Sequence, residues 1–207
     1  KTIVITGGNS GIGYEAALMF AKKEANVVIA SSNQEKSTKA VTQLKASSGN
    51  DNIEAYGLDL GDQTSIQAFA DLMTNKLDQI DILVNNSGVM YTPYGKTKDG
   101  FEKQMGINHL GHFALTQKLY PLISKAGGRI VNIASIAHKF ATINMKDFFF
   151  DNPKTFTKSK GYNRSKLSNM LFTLALKHKL EQASSNVTVY AAHPGIADTG
   201  LKRYMKE

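Results

Sequence analysis

The sequence predicts an α/β fold in which helices cover both faces of a doubly wound parallel sheet. Six short apolar runs, most of them rich in β-branched residues, alternate with helical patterns along the 207 residues. Strands of a parallel sheet are buried on both faces, so continuously apolar runs favour it over an antiparallel sheet. The first run leads directly into a glycine-rich turn and a helix. The carboxyl ends of such strands meet at one edge, where open α/β sheets bind ligands.

The predicted strands are short runs of Val, Ile, Leu or Ala, and most of them end before a polar residue or a glycine. They cover residues 2–6, 26–30, 53–58, 81–84, 129–134 and 187–191. Helical patterns cover residues 14–23, 37–46, 62–77 and 99–122, with Asp62 as the N-cap of the third. A last helix begins near Tyr162, because an apolar stripe at helical spacing follows it: Leu167, Met170, Leu171, Leu174 and Ala175. Residues 136–161, which include the phenylalanines at 148–150, are predicted to be irregular, and this stretch either lines a hydrophobic substrate entrance or packs as core.

Composition excludes several kinds of site. The chain has no cysteine, which rules out disulfides, thiolate metal sites and a thiol nucleophile. His109 and His112 lie three residues apart, but no carboxylate is in register with them, so no metal is predicted. The net charge of +8 comes without interleaved aromatic residues and arginines, so no nucleic-acid partner is expected. There is no apolar run of about 18 residues, so no membrane span is predicted.

The glycine-rich turn lies between a strand and a helix, which is the setting in which such a motif binds a dinucleotide. Gly7 permits the tight turn, Gly11 allows the backbone to approach a pyrophosphate, and Gly13 lets the helix pack closely on the strand. The free N–H groups at the helix start then bind phosphate. A plain cluster of loop glycines is the alternative, which the flanking strand and helix disfavour. We therefore expect a Rossmann-type sheet.

The end of the second strand indicates which dinucleotide binds. An acidic side chain there would bind the 2′-hydroxyl of NAD and repel the 2′-phosphate of NADP. The chain instead has Ser31 and Ser32, with Lys36 close behind. No acid excludes NADP(H), and no arginine binds its phosphate. The sequence therefore favours NADP(H), with NAD(H) as the alternative.

Polar residues follow other strands as well. Asp59 either meets the adenine edge of a cofactor or caps its own loop. Asn85 begins a pair of amides that suits a cofactor or a neighbouring strand, although a simple turn is the alternative. Ser135 follows the fifth strand and faces the ligand crevice, unless it only caps a turn. Asn108 lies inside a predicted helix, where asparagine is unfavourable and requires a reason.

Tyr162 and Lys166 form a candidate proton-transfer pair. Four residues apart on a helix, they lie one turn above each other on the same face. A neighbouring positive charge favours the phenolate and is expected to lower the pKa of the tyrosine. The pair could then give or take a proton at an alcohol or carbonyl oxygen. Taken alone the spacing is weak, because it occurs by chance in many chains.

Together these pieces resemble the short-chain dehydrogenase/reductase family over nearly the whole chain. The matching segments are Thr-Gly-Gly-Asn-Ser-Gly-Ile-Gly at 6–13, Asp-Leu at 59–60, Asn-Asn-Ser-Gly at 85–88, Gly-Ile-Asn-His-Leu-Gly-His-Phe at 106–113, Ser135, Tyr-x-x-x-Lys at 162–166 and Pro-Gly-x-x-x-Thr at 194–199. Each is modest alone, and their shared order and spacing are specific. The chain looks most like the retinol dehydrogenase and WW-domain oxidoreductase branch, which often acts on apolar alcohols and carbonyls.

The resemblance implies a role for each matching residue. Tyr162 would be the general acid or base, Lys166 would lower its pKa, and Ser135 would polarise the substrate carbonyl. Asn108 would hold a water that links Lys166 to solvent. The implied cofactor contacts are Gly7, Asn9, Ser10, Gly11, Ile12, Gly13, Ser31, Ser32, Lys36, Asp59, Leu60, Asn85, Ser87, Gly88, Tyr162, Lys166, Pro194, Gly195, Ile196 and Thr199.

The resemblance also sets expectations for the whole chain. Residues 1–207 are expected to form a single dinucleotide-binding and catalytic domain without the family's C-terminal lid and last strand. We expect an oxidoreductase acting on a small carbonyl or alcohol substrate, with homodimer formation as a further expectation. It should be cytoplasmic, or membrane-associated if an N-terminal anchor precedes Lys1. The alternative function is a non-catalytic NAD(P)-binding regulatory or scaffold module. A sugar-nucleotide epimerase would need a larger substrate domain than 207 residues allow.

Overall fold

A six-stranded parallel sheet forms the centre of the molecule, as predicted. The computed structural model describes residues 1–195. The strands are β1 Thr2–Thr6, β2 Asn26–Ser31, β3 Ile53–Gly57, β4 Ile82–Asn85, β5 Arg129–Ile133 and β6 Thr188–Ala192. Their order across the sheet is β3-β2-β1-β4-β5-β6, which is the doubly wound arrangement. No predicted strand end differs by more than one residue from the observed one.

Helices connect the strands on both faces of the sheet. They are α1 Gly11–Ala21, α2 Gln34–Ser48, α3 Gln63–Lys76, α4 Lys103–Met105, α5 Gly111–Lys125 and α6 Lys158–Gln182. Asp62 caps α3 as predicted, because its carboxylate accepts a hydrogen bond from the Thr64 N–H at 2.9 Å. No helix within residues 1–195 is both long enough and apolar enough to cross a bilayer.

Strand β1 shows how the core is divided. Val4 packs in a cluster with α3, α5 and the end of α6, whereas Ile3 and Ile5 pack in a second cluster with α1 and α2. All three side chains are buried. Because successive residues of a strand point to opposite faces, a continuously apolar strand needs helices on both sides.

The helix predicted over residues 99–122 begins later and changes its pitch. The Glu102 carboxylate accepts hydrogen bonds from the N–H groups two and three residues further on, so the helix begins at Lys103. Gly106–Leu110 then forms a π-helical turn before α5. Such turns are rare and occur frequently at functional sites. Asn108 therefore lies inside the helix as predicted, but in a widened turn.

The buried face of α6 is polar, which the sequence pattern did not indicate. Leu171 and Leu174, both from the apolar stripe, are 45% and 65% exposed. The inward side chains include Tyr162, Ser165, Lys166, Ser168, Asn169 and Thr173. They face a polar strip of the sheet, where the Asn132 amide donates to the Thr173 hydroxyl at 2.9 Å and accepts from Asn85 at 2.8 Å. Side-chain hydrogen bonds here replace apolar packing between helix and sheet.

The connection from β5 to α6 is irregular, as predicted, apart from three short 3₁₀ turns. These are Ile136–Phe140, Met145–Asp147 and Pro153–Thr155. Arg164 of α6 anchors the connection, because its guanidinium donates to the carbonyls of Thr142, Asp147 and Phe148. The same guanidinium lies 3.8 Å from the centre of the buried Phe150 ring. Of the two alternatives for these phenylalanines, core packing therefore applies to Phe150.

Candidate active site

An open cleft of about 1030 Å³ lies at the carboxyl edge of the sheet. The predicted site residues that line it are Gly7, Asn9, Ser10, Gly11, Ile12, Gly13, Ser31, Ser32, Lys36, Asp59, Leu60, Ser87, Gly88, Ser135, Tyr162, Lys166, Pro194 and Gly195. Asn85 and Asn108 do not line the cleft. Ile196 and Thr199 lie outside the described residues. The cleft is therefore lined by most of the site residues that were predicted from the strand ends and the glycine turn.

The glycine turn forms part of the cleft lining. Gly7 has a φ of 67°, which favours glycine, and a Cβ on Gly13 would lie only 2.3 Å from the Gly7 carbonyl oxygen. Helix α1 therefore packs closer to the turn than any side chain at Gly13 would allow. Ser10 is the N-cap of α1, but its hydroxyl makes no capping hydrogen bond. This hydroxyl and the first N–H groups of α1 are thus left to bind an anion.

The end of β2 provides hydroxyl groups and a positive charge. The Ser31 Oγ accepts hydrogen bonds from Asn9 Nδ2 at 2.7 Å and from the Asn33 N–H at 3.1 Å. Because both neighbours donate, the Ser31 hydroxyl proton can itself be donated to a ligand. Ser32 and Lys36 line the cleft beside it. No acidic side chain of β2 or of the described residues immediately after it lines this end.

Asp59 and Asn85 are held by the protein itself. Asp59 accepts a hydrogen bond from the Gly61 N–H at 2.8 Å, which is the loop-capping alternative. The Asn85 amide donates to Thr116 and Asn132 at 2.9 and 2.8 Å, inside the sheet. The cleft position predicted for Asn85 is instead occupied by Asn86. Successive residues at a strand end point to opposite sides, and Asn85 takes the buried side.

Ser135, Tyr162 and Lys166 line the same cleft. Tyr162 and Lys166 lie one turn apart on α6, and the Lys166 Nζ is 5.8 Å from the centre of the tyrosine ring. Lys166 also donates a hydrogen bond to the Ile133 carbonyl at 2.9 Å. The Ser135 Oγ accepts from the Ala137 N–H at 3.2 Å, so Ser135 caps the first 3₁₀ turn as well as lining the cleft.

Burial controls the protonation of this group. It raises the pKa of Tyr162, and the opposing hydrogen bond from Ser135 does not cancel it. Burial lowers the pKa of Lys166 to about 8. The prediction that Lys166 lowers the tyrosine pKa is therefore wrong for the protein alone, because the ammonium binds the Ile133 carbonyl and burial disfavours both charged forms. At neutral pH the phenol is protonated and the lysine is charged.

Asn108 is buried beside this group in the π-helical turn. Its Oδ1 accepts from the Val89 N–H at 2.8 Å, and its Nδ2 donates to the Val89 carbonyl and to the Ser165 hydroxyl, both at 2.9 Å. A Cβ on Gly88 would lie 3.2 Å from the Asn108 Oδ1 and 3.8 Å from the Lys166 Nζ. The Asn108 side chain thus holds the loop after β4 against α6, and a Cβ at Gly88 would be in tight contact with it.

The two histidines make hydrogen bonds within the protein. His112 Nδ1 lies 3.0 Å from the Asn108 carbonyl oxygen, and its Nε2 lies 2.8 Å from the Thr6 hydroxyl. Burial lowers the pKa of His112 to about 4, so the ring is neutral at neutral pH. His109 contacts the Asn169 amide oxygen at 3.2 Å. Within residues 1–195, no group of three or more His, Asp or Glu side chains is arranged to hold a metal ion.

Comparison with known proteins decides the family. A family model described as short chain dehydrogenase matches residues 1–148, most of the chain. The chain belongs to the short chain dehydrogenase family. Human retinol dehydrogenase 13 is 41% identical over 205 residues, which cover 99% of this chain and 61% of that protein. Human retinol dehydrogenase 12 is 40% identical, with 99% and 64% covered. This short chain dehydrogenase thus spans less than two thirds of the length of these relatives, and the predicted resemblance is confirmed.

Solved structures share the fold. An uncharacterized protein from Mycobacterium paratuberculosis is 38% identical with a TM-score of 0.85, covering 99% of this chain and 71% of its own. A short-chain dehydrogenase from Sphingobium yanoikuyae in complex with NADPH is 24% identical with a TM-score of 0.77, covering 99% and 74%. A Burkholderia phymatum relative in complex with NAD is 23% identical with a TM-score of 0.80, covering 100% and 69%.

The cleft of this short chain dehydrogenase also contains residues that the sequence argument missed. They include Asn86, Val89, Met90, Tyr91 and Asn163. Ile136 and Phe140 also line the cleft and belong to the stretch at 136–161, for which a substrate entrance is one of the two predicted alternatives. The alternation of side chains at a strand end could have identified Asn86. No local signal marks Tyr91, because it lies in an irregular segment whose position depends on tertiary contacts.

Proposed function

We propose that this short chain dehydrogenase transfers a hydride between a nicotinamide dinucleotide, with NADP(H) preferred, and the carbonyl or alcohol carbon of an apolar small molecule. One observation carries the proposal: Ser135, Tyr162 and Lys166 line the same cleft as the glycine turn before α1. A dinucleotide-sized site and a proton-transfer group thus share one cavity. The retinol dehydrogenase names of its relatives support an apolar substrate.

The cleft residues fit such a cofactor. The turn at Gly7, the Ser10 hydroxyl and the start of α1 would hold the pyrophosphate. Ser31 and the residues after it would hold the adenosine end, and Lys166 would hold the nicotinamide ribose. When bound, the cofactor supplies or accepts the hydride.

Tyr162 is the proton donor in this proposal. Its pKa is raised by burial, so the phenol keeps its proton at neutral pH and can donate it to a carbonyl oxygen. The Ser135 hydroxyl would donate a second hydrogen bond to the same oxygen, and the charged Lys166 would favour the negative charge that develops there. Oxidation requires the phenolate, which burial disfavours, so at neutral pH the free protein carries the protonation state that reduction needs.

Apolar side chains at the cleft support an apolar substrate. Ile136 and Phe140 line the cleft and are 51% and 74% exposed. Large apolar side chains are seldom left in water together unless a ligand or partner covers them. A substrate chain that leaves Tyr162 along this wall would cover them.

Turnover of an aldehyde separates this proposal from a non-catalytic binding module. The purified chain should consume NADPH when cinnamaldehyde is added, at a rate proportional to the protein concentration. If the chain is instead a non-catalytic binding module, it should bind NADPH but not consume it, whether an aromatic or an aliphatic aldehyde is added.

Cofactor preference is expected to depend on Ser32. Replacing it with Asp puts a carboxylate beside Ser31 and Lys36, where it repels a 2′-phosphate. In fluorescence titrations, the wild type should bind NADPH about tenfold more tightly than NADH, a gap of ~1.4 kcal/mol, and Ser32→Asp should remove the gap. Ser47→Asp, on the exposed side of α2 and outside the cleft, adds the same charge and should change neither affinity. Equal wild-type affinities for the two cofactors would contradict the preference.

We also propose that two copies of the chain pair through α5 and α6. Phe113, Leu171 and Leu174 are 47%, 45% and 65% exposed, and the Phe113 ring packs on Phe172 at 5.2 Å between centroids. This apolar face is self-complementary if a two-fold axis crosses it.

A single charge should break this dimer. Leu174→Lys is expected to shift the wild-type dimer to a monomer in sedimentation velocity, because the ammonium would be buried at the interface without a partner. Met19→Lys, which is 66% exposed on α1, is the matched control and should leave the dimer intact. A wild-type monomer at micromolar concentration would contradict the proposal.

A further inference from the structure

Tyr91 lies in the cleft directly beside Tyr162, although no motif marks it. The centres of the two rings are 5.6 Å apart and their planes meet at 80°, so the edge of one ring meets the face of the other. Tyr91 also lines the cleft. Burial is the main cause of the raised pKa of Tyr162, and Tyr91 adds to it. The ring of Tyr91 therefore forms part of the environment of the Tyr162 phenol.

The backbone of Tyr91 is strained. Its φ of 55° is in the left-handed region, which a bulky residue seldom adopts. Such a conformation persists only where surrounding contacts impose it, and these positions cluster at active sites and ligand clamps. A tyrosine is thus kept where glycine or asparagine would fit the backbone with less strain.

Gln104 imposes this conformation. Its side chain is completely buried; its Oε1 accepts from the Tyr91 N–H at 2.8 Å and its Nε2 donates to the Lys158 carbonyl at 3.0 Å. Lys158 is the first residue of α6, so one amide ties Tyr91 to the helix that carries Tyr162. A Cβ on Gly161 would lie 2.6 Å from the Gln104 Nε2. The residue next to Tyr162 therefore has to be small for this clamp to form.

We propose that Tyr91 is a substrate-positioning residue, whose ring holds the substrate chain so that its carbonyl oxygen meets the hydroxyl of Tyr162. The role rests on the proposed function. Gln104 acts through Tyr91 by fixing the place of its ring relative to α6. The hydroxyl of Tyr91 is not required, because the contact with Tyr162 is made by the ring.

Kinetics with NADPH and cinnamaldehyde test this role. Tyr91→Leu keeps an apolar side chain but removes the ring, and it should raise KM for the aldehyde about tenfold, the upper range of an aromatic contact. Its kcat should also fall, because the carbonyl oxygen is then less well placed against the Tyr162 hydroxyl, and its affinity for NADPH should not change. Tyr91→Phe should behave as the wild type. Gln104→Leu, which frees Tyr91, should raise KM in the same way as Tyr91→Leu.

Tyr94→Leu is the matched control. Tyr94 also packs edge-on against an aromatic ring, that of Phe156 at 5.2 Å, but it does not line the cleft. The Tyr94→Leu variant should have a lower melting temperature than the wild type but the same KM for the aldehyde. If Tyr91→Leu changes only the melting temperature, as this control does, the ring merely packs and the proposal is overturned. A wild type that binds NADPH but does not reduce cinnamaldehyde contradicts the proposed function itself, and the positioning role with it.

Discussion

Replacement of Tyr162 with Phe is expected to abolish turnover while leaving the fold and the cofactor site intact. The change removes one oxygen atom and keeps the ring, which is buried against Tyr91. Without the hydroxyl no group at that position can give a proton to the carbonyl oxygen. Positioned general acids contribute about 10²- to 10⁴-fold to rate, and kcat should fall by at least that range.

The measurements for this variant are NADPH consumption with cinnamaldehyde and a separate NADPH titration. The titration and the melting temperature should match the wild type, because the phenylalanine ring retains the packing. Tyr120→Phe is a suitable control, since the Tyr120 hydroxyl also contacts a protein group, Ser185 at 3.2 Å, at a site outside the cleft. It should keep full activity. A Tyr162→Phe variant that turns over at the wild-type rate would assign proton transfer to another group and favour the binding-module alternative.

Replacement of Lys166 with Met is expected to stabilise the protein and inactivate it. Lys166 is buried, and burial lowers its pKa from 10.5 to about 8. A difference of this size means that holding the charged form in the fold costs about 3 kcal/mol at neutral pH. Methionine removes this cost but also the hydrogen bond to the Ile133 carbonyl, worth about 1 kcal/mol. The free energy of unfolding should therefore rise by about 2 kcal/mol.

The stability difference between Lys166→Met and the wild type should depend on pH in a defined direction. The unfolded lysine keeps its proton up to pH 10.5, whereas the folded one releases it near pH 8. Between these values the unfolded state binds more protons, so wild-type stability rises with pH relative to the variant. The advantage of Lys166→Met should hold below pH 8 and shrink as pH rises towards 10.5.

Denaturant unfolding without added cofactor measures the free energy of unfolding of the variant and its dependence on pH. Lys179→Met, at an exposed position of the same helix, should leave stability nearly unchanged at every pH. A Lys166→Met variant that is less stable than the wild type at pH 7 would show that the hydrogen bond outweighs the burial of the charge. Such a gain in stability with a loss of activity is typical of residues retained for function.

The sequence by itself determined the sheet, the glycine turn and the residue types at the strand ends. These follow from local rules: apolar runs form buried strands, and a close helix–strand approach requires glycine at Gly13. The pairing of Tyr162 with Lys166 is likewise local, because helical spacing alone places them one turn apart. Their position beside Ser135 and the glycine turn needed only the rule that parallel strands end at one edge.

Only the tertiary structure decided which side chains face the cleft and in which direction their pKa values shift. Alternation places Asn85 and Asn86 on opposite sides of the sheet, but only the buried partners Thr116 and Asn132 show that Asn85 is the one that faces inward. The buried face of α6 is also polar, against the expectation from its apolar stripe.

The pKa of Tyr162 rises because burial outweighs the opposing effect of Ser135, a balance that depends on the packing around the phenol. Tyr91 is held beside Tyr162 by its hydrogen bond to Gln104 and by the contact between the two rings, and no spacing rule connects these segments.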